Sequence, residues 1–405
     1  MNLDDARTLL TPETLAMLNQ FAELGSGRDA LAAVSALRRA GATPRQSAVV
    51  MSQLKLRRQA HPKFGEFAQR MLFTPDGLSQ ATRLEVAAHH ANRFRSAGCE
   101  RVADLGCGIG ADSMAIASLG IELLAVDADE LTAAIATHNL APFPNATVDQ
   151  AQAETVDLTD FDGVFLDPAR RAQREGATEH GDSIRLNDPA QWQPSLAFAF
   201  GLADDKRAVG VKLGPALDHD LIPDTAEAQW VSVGGDLVEC ALWFGPAARD
   251  GVRRSALLIS ATGTAEMTAA TSTVDAVPDA AVGELGAWLH EPDAAIIRGR
   301  FIGQLAGQLG GRMIAPQIAW ITTDEPVETP FAKSFRVLEQ FKLDIATLKR
   351  ELQAREIGTL EIKVRGVDID PQDFRRKLQL KGRQSATLIC TRLGERRVAI
   401  LAERS

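Results

Sequence analysis

The sequence predicts an α/β protein built around a doubly wound parallel sheet, preceded by a helical region and followed by a small α/β domain. Three observations lead there. Apolar strand-like runs alternate with helical segments from Arg101 to Pro215, a glycine-rich turn joins the first run to the first helix, and a fresh strand–helix pattern begins after Pro330. With 405 residues, 45% of them apolar and 24% charged, the chain can fill two or three packed cores.

Residues 1–95 read as helices. Thr11-Pro12 and Thr43-Pro44 each set a capping hydroxyl before a proline suited to the first helical turn, and Leu15, Leu18 and Ala22 fall on one face. The segment RVADLG from Arg101 is the first strand, and ADSMAIASLG, closed by Gly120, is the helix after it. ELLAVDAD is a second strand, LTAAIATHNL a helix, FDGVFLDPARR a third strand ending at Asp167, and AVGVKLGP another. VSVGGDLVECALWFG and RRSALLIS read as antiparallel strands at the edge of the same sheet. The Thr/Ala-rich stretch from Thr262 to Val282 reads as a linker and residues 283–330 as helical, so the expected divisions are 1–95, 96–262, 263–330 and 331–405. In the last division a short strand near Phe335 precedes a helix with Ile345, Leu348 and Leu352 on one face. A strand follows in which Leu360, Ile362 and Val364 alternate with charged residues. Asp370 caps a second helix, Pro371 opens it, Phe374 and Leu378 point inward, and Gly382 ends it. ATLICTRL and RRVAILAE form a closing hairpin.

Composition narrows the function. No apolar run approaches the roughly 20 residues needed to span a bilayer, and MNLDDARTLL has no signal-peptide pattern, so a soluble cytoplasmic protein is expected. Cys99, Cys107, Cys240 and Cys390 lie far apart without Cys-x-x-Cys pairing, and His89, His90 and His180 lack metal-ligand spacing, so neither disulfides nor a metal is expected. Cys240, inside an apolar strand, reads as a core thiol. The net charge of −9 is unevenly spread: residues 1–95 carry +5, residues 96–330 carry −21, and residues 331–405, with 17 basic against 10 acidic side chains, carry +7. An acidic body between basic ends is compatible with a nucleic-acid partner.

The run Asp104-Leu-Gly106-Cys-Gly108-Ile-Gly110 sits between a strand and a helix, where glycines admit close backbone approach and the helix start offers N–H groups. This is a nucleotide-type cofactor site on a Rossmann-like sheet. Gly106, Gly108 and Ala111 also satisfy the nicotinamide fingerprint, so the glycines alone leave both readings open. Asp104 favours the ammonium of an amino-acid cofactor over a pyrophosphate, and Asp127, ending the second strand, suits ribose hydroxyls.

These residues resemble motif I of the class I S-adenosylmethionine-dependent methyltransferases, and DLGCGIGADSMAIA with LLAVDADELTAAIATHNL is similar to RNA methyltransferases of the trimethylguanosine synthase type. The resemblance implies that Gly106, Gly108 and Gly110 line S-adenosylmethionine and that Asp127 holds its ribose. Gln152 and Glu154 take the place of the acid often found near adenine, and Phe73, Gln80 and Thr82 either close over the cofactor or pack among helices. Asp167-Pro168-Ala169-Arg170-Arg171 is similar to the Asp/Asn-Pro-Pro-aromatic motif of amino-methyltransferases, in which the acid and the proline carbonyl accept from the target amine. Ala169 departs from the second proline and Arg170 from the aromatic. Arg170 and Arg171 then grip a phosphate or pair with carboxylates, and Lys212 either meets substrate phosphate or is structural.

The N-terminal helices, LDPARR and the tail LEIKVRGVDIDPQDFRRKLQLKGRQSATLICTRL resemble bacterial class I methyltransferases with a C-terminal THUMP-like domain. THUMP domains proper bind RNA in tRNA-modifying enzymes, so the resemblance implies an RNA substrate, tRNA or rRNA. Arg375, Arg376, Lys377, Lys381 and Arg383 would form its phosphate-binding face. Two other readings stand beside it: a methyltransferase for a small molecule or protein, with Arg170 and Arg171 reading a carboxylate, and a non-catalytic RNA-binding protein on a cofactor fold.

Overall fold

The structure, a computed structural model, describes residues 1–22, 30–168, 171–173, 183–185, 191–203, 206–273 and 278–404. The chain divides into two compact units.

The first unit comprises Met1–Leu213 with Thr225–Glu227 and Ala241–Asp250. Helices α1 (Leu3–Leu9), α2 (Pro12–Gln20), α3 (Ala30–Arg39), α4 (Pro44–Phe64), α5 (Pro75–Gln80) and α6 (Leu84–Ser96) come first. The expected caps are present: Thr11 Oγ1 accepts from Thr14 N, and Thr43 forms a reciprocal box with Gln46. The buried face of α2 is Thr14 and Leu18, with Leu15 only partly covered and Ala22 beyond the helix and exposed. Then follow β1 (Arg101–Leu105), α7 (Ala111–Ser118), β2 (Glu122–Asp127), α8 (Glu130–Leu140), β3 (Ala146–Gln150), β4 (Gly163–Leu166), β5 (Arg171–Gln173), β6 (Ser183–Arg185), α9 (Leu196–Gly201) and β7 (Ala208–Leu213). The strands β7-β4-β1-β2-β3 lie side by side and parallel, which is the expected doubly wound order. Strand β3 was not expected. It is an edge strand, ATVDQ, with no fully buried residue, so it lacks the apolar run by which inner strands are read.

Phe94, Phe165 and Trp243 meet in the core of this unit at centroid distances of 6.0–6.4 Å. Beside them the Glu227 carboxylate, with no exposed side-chain surface, accepts from Arg93 and Arg249 at 2.6 Å each. Burial alone would raise its pKa, but the two guanidiniums hold it below the usual range. Glu227→Gln leaves two cations facing a neutral amide. It should cost about 3 kcal/mol, the lower end for a broken buried pair because Arg249 reaches solvent. A depressed acid stabilises above its unfolded value and loses that contribution on acidification. The gap between wild type and variant in urea unfolding should therefore close as pH falls below about 4.

The second unit comprises Gly214–Asp224, Ala228–Cys240 and Gly251–Ser405. It holds β8 (Glu227–Val233) from Ala228 onward, the first part of β9 (Asp236–Phe244), β10 (Arg254–Ser260) and β11 (Gly263–Ala269). Strand β10 runs parallel to β8 and antiparallel to β11, which corrects the all-antiparallel expectation for this region. Strand β11 also lies where a linker was expected. Its side chains are mostly solvent-facing and only Met267 is buried, so it too lacks an apolar run. Next come β12 (Trp288–Pro292), α10 (Ala294–Arg298), α11 (Ile302–Leu309), β13 (Arg312–Met313) and β14 (Ile321–Thr323). Residues 283–330 thus include three strands besides two short helices. Gly283, Gly286 and Pro292 interrupt any longer helix, and Leu289 and Ile321 are buried by pairing that sequence spacing does not reveal.

The tail elements are β15 (Ala332–Lys342), α12 (Ile345–Ala354), β16 (Ile357–Val364), α13 (Pro371–Leu378), β17 (Gln384–Leu393) and β18 (Arg396–Arg404). They join the preceding strands in one sheet of order β13-β14-β12-β15-β18-β17-β16, so pairing of β12 with β15 crosses Pro330. Leu348, Leu352, Leu360, Phe374 and Leu378 share one core as the periodicity predicts. Asp370 caps α13, but Gln379, in the left-handed conformation, ends it in place of Gly382. Gly382 has a different task. A Cβ there would sit 1.7 Å from the Glu356 carbonyl oxygen, so only glycine lets these two backbone segments touch.

Candidate active site

The site of the first unit is built at the carboxyl ends of β1, β2, β4 and β7, where open parallel sheets place ligands. The chain leaves β1 through Gly106 (φ +90°), Gly108 (φ +56°) and Gly110 (φ +87°), all in the region that favours glycine. The amides of Gly106 and Cys107 both donate to Val126 O, tying the turn to β2. A Cβ on Gly106 would lie 3.1 Å from the Asp167 carbonyl oxygen, so the turn and the end of β4 are in contact. A Cβ on Gly108 would meet nothing within 4 Å, and no side chain caps α7 after it.

Asp127 faces this turn. Its Oδ2 accepts from Gly108 N and its Oδ1 from Asp129 N, each at 3.0 Å. A carboxylate has about four acceptor positions, so capacity for hydroxyl donors is left. Its pKa is raised, mainly by burial. Asp104 is 1% exposed and accepts from Ser113 Oγ at 2.5 Å. Burial, then the charge of Asp112, pushes its pKa up to about 8. A buried acid beside an open glycine turn and a second acid at the end of β2 fit a cationic amino-acid moiety and a ribose, so these residues suit S-adenosylmethionine.

Beside the turn, three residues named from sequence come together, Asp167, Lys212 and Thr82. Asp167 follows β4, Pro168 beside it is buried, and Lys212 is the last residue but one of β7. Lys212 Nζ is paired with Asp167 Oδ2 and donates to Thr82 Oγ1 at 2.9 Å. Lys212 was expected to meet substrate phosphate or to be structural. In the structure the ammonium is engaged by an internal carboxylate and is 12% exposed, the structural arrangement of the two. Thr82 Oγ1 donates to Asp112 Oδ2 at 2.6 Å, and His90 Nδ1 lies 2.8 Å from Asp112 Oδ1. Burial would raise the Asp112 pKa, but His90, Lys212 and Thr82 together lower it.

Asp112 and His90 escaped sequence reasoning. An acid in the first helical turn reads as an ordinary dipole partner, and a lone histidine on α6 reads as core. Lys63 was missed too. It lies in the last turn of α4 and donates to the carbonyls of Leu78, Ser79 and Ala81 at 2.8, 3.0 and 2.9 Å, clamping the segment that carries Thr82.

Other expected residues fall outside this cluster. Gln152 and Glu154 are exposed after β3 and touch none of the turn residues through any described hydrogen bond. Phe73 is buried against Phe64, a packing role, and Gln80 is exposed. Cys240 is buried, and desolvation pushes its pKa far up, as a core thiol requires. Arg170, Ala169 and His180 lie outside the described residues, as does the side chain of Arg171 in β5. In the second unit, Arg375, Arg376, Lys377, Lys381 and Arg383 are all exposed on or just after α13. Arg375 donates to Leu360 O and Arg376 pairs with Asp373. Among the described residues no group of acids, histidines and cysteines could hold a metal, and no helix is long and apolar enough to cross a membrane.

Residues 332–404 match the THUMP domain-like family, and residues 2–60 match a domain of unknown function. An uncharacterized S-adenosylmethionine-dependent methyltransferase of Mycobacterium tuberculosis, from strains CDC 1551 and H37Rv, is 32% identical over 350 residues, 84% of this chain and 91% of the relative. The crystal structure of a candidate methyltransferase from Porphyromonas gingivalis W83 superposes with a TM-score of 0.72 over 97% of this chain and 98% of that one. At 18% identity that likeness shows the shared fold.

Proposed function

The chain belongs to the S-adenosylmethionine-dependent methyltransferases, and from that premise we propose that it methylates a nitrogen of an RNA base, in tRNA or rRNA. The observation that carries the reading is the contact of the Asp167 backbone with the Gly106 turn, which sets an acid acceptor at the edge of the cofactor site. Bound S-adenosylmethionine supplies an electrophilic methyl group. The chain's part is orientation: Asp127 and the glycine turn hold the cofactor, Asp167 and the Pro168 carbonyl accept from the target amine, and an unpaired or flipped base presents it. The THUMP domain-like match and the exposed cations around α13 support RNA as the substrate.

The RNA assignment is tested by bulk tRNA binding to the full chain between about 50 and 200 mM salt. Replacing Lys377, Lys381 and Arg383 by glutamine should lower the slope of log affinity against log salt by about 3, near 0.9 per lost phosphate contact. An unchanged slope would remove the tail from the interface.

Asp104 gives a second expectation. With a pKa near 8 it is protonated at pH 7. A cationic ammonium placed beside it favours the carboxylate, so cofactor binding should release a proton. Calorimetry at pH 7 in buffers of different ionisation enthalpy should show this as a buffer-dependent heat that Asp104→Asn abolishes. A buffer-independent heat in the wild type would place the ammonium elsewhere.

A further inference from the structure

We propose that Lys212 is a positioning residue for methyl transfer: its ammonium, oriented by Thr82, holds Asp167 as a hydrogen-bond acceptor toward the substrate. The activity arm rests on the RNA-base reading, whereas the placement of Lys212 does not.

The fold brings the pair together. Strands β4 and β7 are parallel neighbours with Leu166 opposite Val211, so Asp167, just past β4, and Lys212, the next residue of β7, sit side by side. The proton inventory then fixes the direction of each bond. The Thr82 hydroxyl has one proton and gives it to Asp112, so toward Lys212 it only accepts. Asp112 is ionised, takes a second bond from His90, and so cannot return a proton to Thr82. Thr82 itself follows the three carbonyls clamped by Lys63.

Charge explains why a cation is needed. The carboxylate of Asp167 interacts with Asp104 from β1 and Asp127 from β2, and Asp104 also feels Asp112 from α7. Four acids converge on this end of the sheet. Among the described residues Lys212 is a cation that pairs with Asp167, while Lys63 on α4 is near enough to Lys212 for the two to repel. Removing Lys212 withdraws the opposite charge at Asp167 and leaves burial and the neighbouring carboxylates to favour its protonated form. A neutral carboxylic acid donates through its own proton and would compete poorly for a substrate N–H.

The test uses the full-length protein with aspartate labelled at the side-chain carboxyl carbon, the Asp167 signal being identified by its loss in Asp167→Asn. Carbon NMR titration without substrate should show the Asp167 midpoint rising by about one to three pH units in Lys212→Met, and staying near wild type in Lys212→Arg. The acid limb of kcat for RNA methylation should move by the same amount. If Lys212→Met does not fold, Thr82→Val should shift the midpoint in the same direction by less. An unmoved midpoint in a folded variant overturns the proposal, as does a moved midpoint with an unmoved kcat profile. If wild-type protein methylates no RNA, the RNA reading fails and the titration alone decides for or against the placement of Lys212.

Discussion

Asp127→Ala is expected to weaken S-adenosylmethionine binding by about 100-fold or more. The substitution removes two things at once. It deletes the acceptor for the ribose hydroxyls, and hydrogen bonds to a charged group are worth about 1.5–3 kcal/mol each, with about 1.4 kcal/mol per tenfold in affinity. It also releases Gly108 N and Asp129 N, the two amides that this carboxylate holds at 3.0 Å. Asp127→Asn keeps an acceptor on one side but turns an amide NH2 toward a backbone N–H, so an intermediate loss is expected. Titration calorimetry of both variants checks this, with the thermal midpoint followed alongside. A cofactor affinity within threefold of wild type for Asp127→Ala would remove this residue from the site.

Asp167→Ala is expected to lower the methyl-transfer rate by about 10²-fold or more, the scale of loss when a reacting group is no longer held in position. Its effect on cofactor binding has a separate origin. Lys212 loses its counter-charge and remains, 12% exposed, near a site for a cationic cofactor. Binding should therefore weaken in Asp167→Ala and recover in Asp167→Ala/Lys212→Met, while turnover stays low in both. Single-turnover rates with saturating cofactor separate the two effects. Full activity in Asp167→Ala would move the acceptor role to another residue.

How much of this was legible in sequence follows from the range of each interaction. The strand, glycine turn, helix and second strand from Arg101 to Asp127 were readable because their signals are local: apolar alternation, positive-φ glycines and an acid at a strand end. The core of the tail was readable for the same reason, with Phe374 and Leu378 one turn apart on α13. Lys212 could be placed at the site, but its partner could not, since Asp167 lies 45 residues away and only strand pairing joins them. Polar edge strands such as β3 and β11 carry no apolar run, and the pairing of β12 with β15 bridges 44 residues between His290 and Ser334. Buried pairs such as His90 with Asp112 are hidden for another reason. Each residue is ordinary in a helix, and only tertiary packing removes it from water.

Methyl transfer to a base nitrogen of RNA, through a site centred on Asp167, is the proposed reaction of this family member. Full-length protein, methyl-labelled S-adenosylmethionine and total RNA from a strain lacking the gene provide the direct measurement, with nucleoside mass spectrometry locating the label. Label is expected in an N-methylated base with the wild type and is expected to be lost with Asp167→Ala. Label confined to ribose, to protein or to small molecules, or RNA left unlabelled although the cofactor binds, would contradict the proposed reaction.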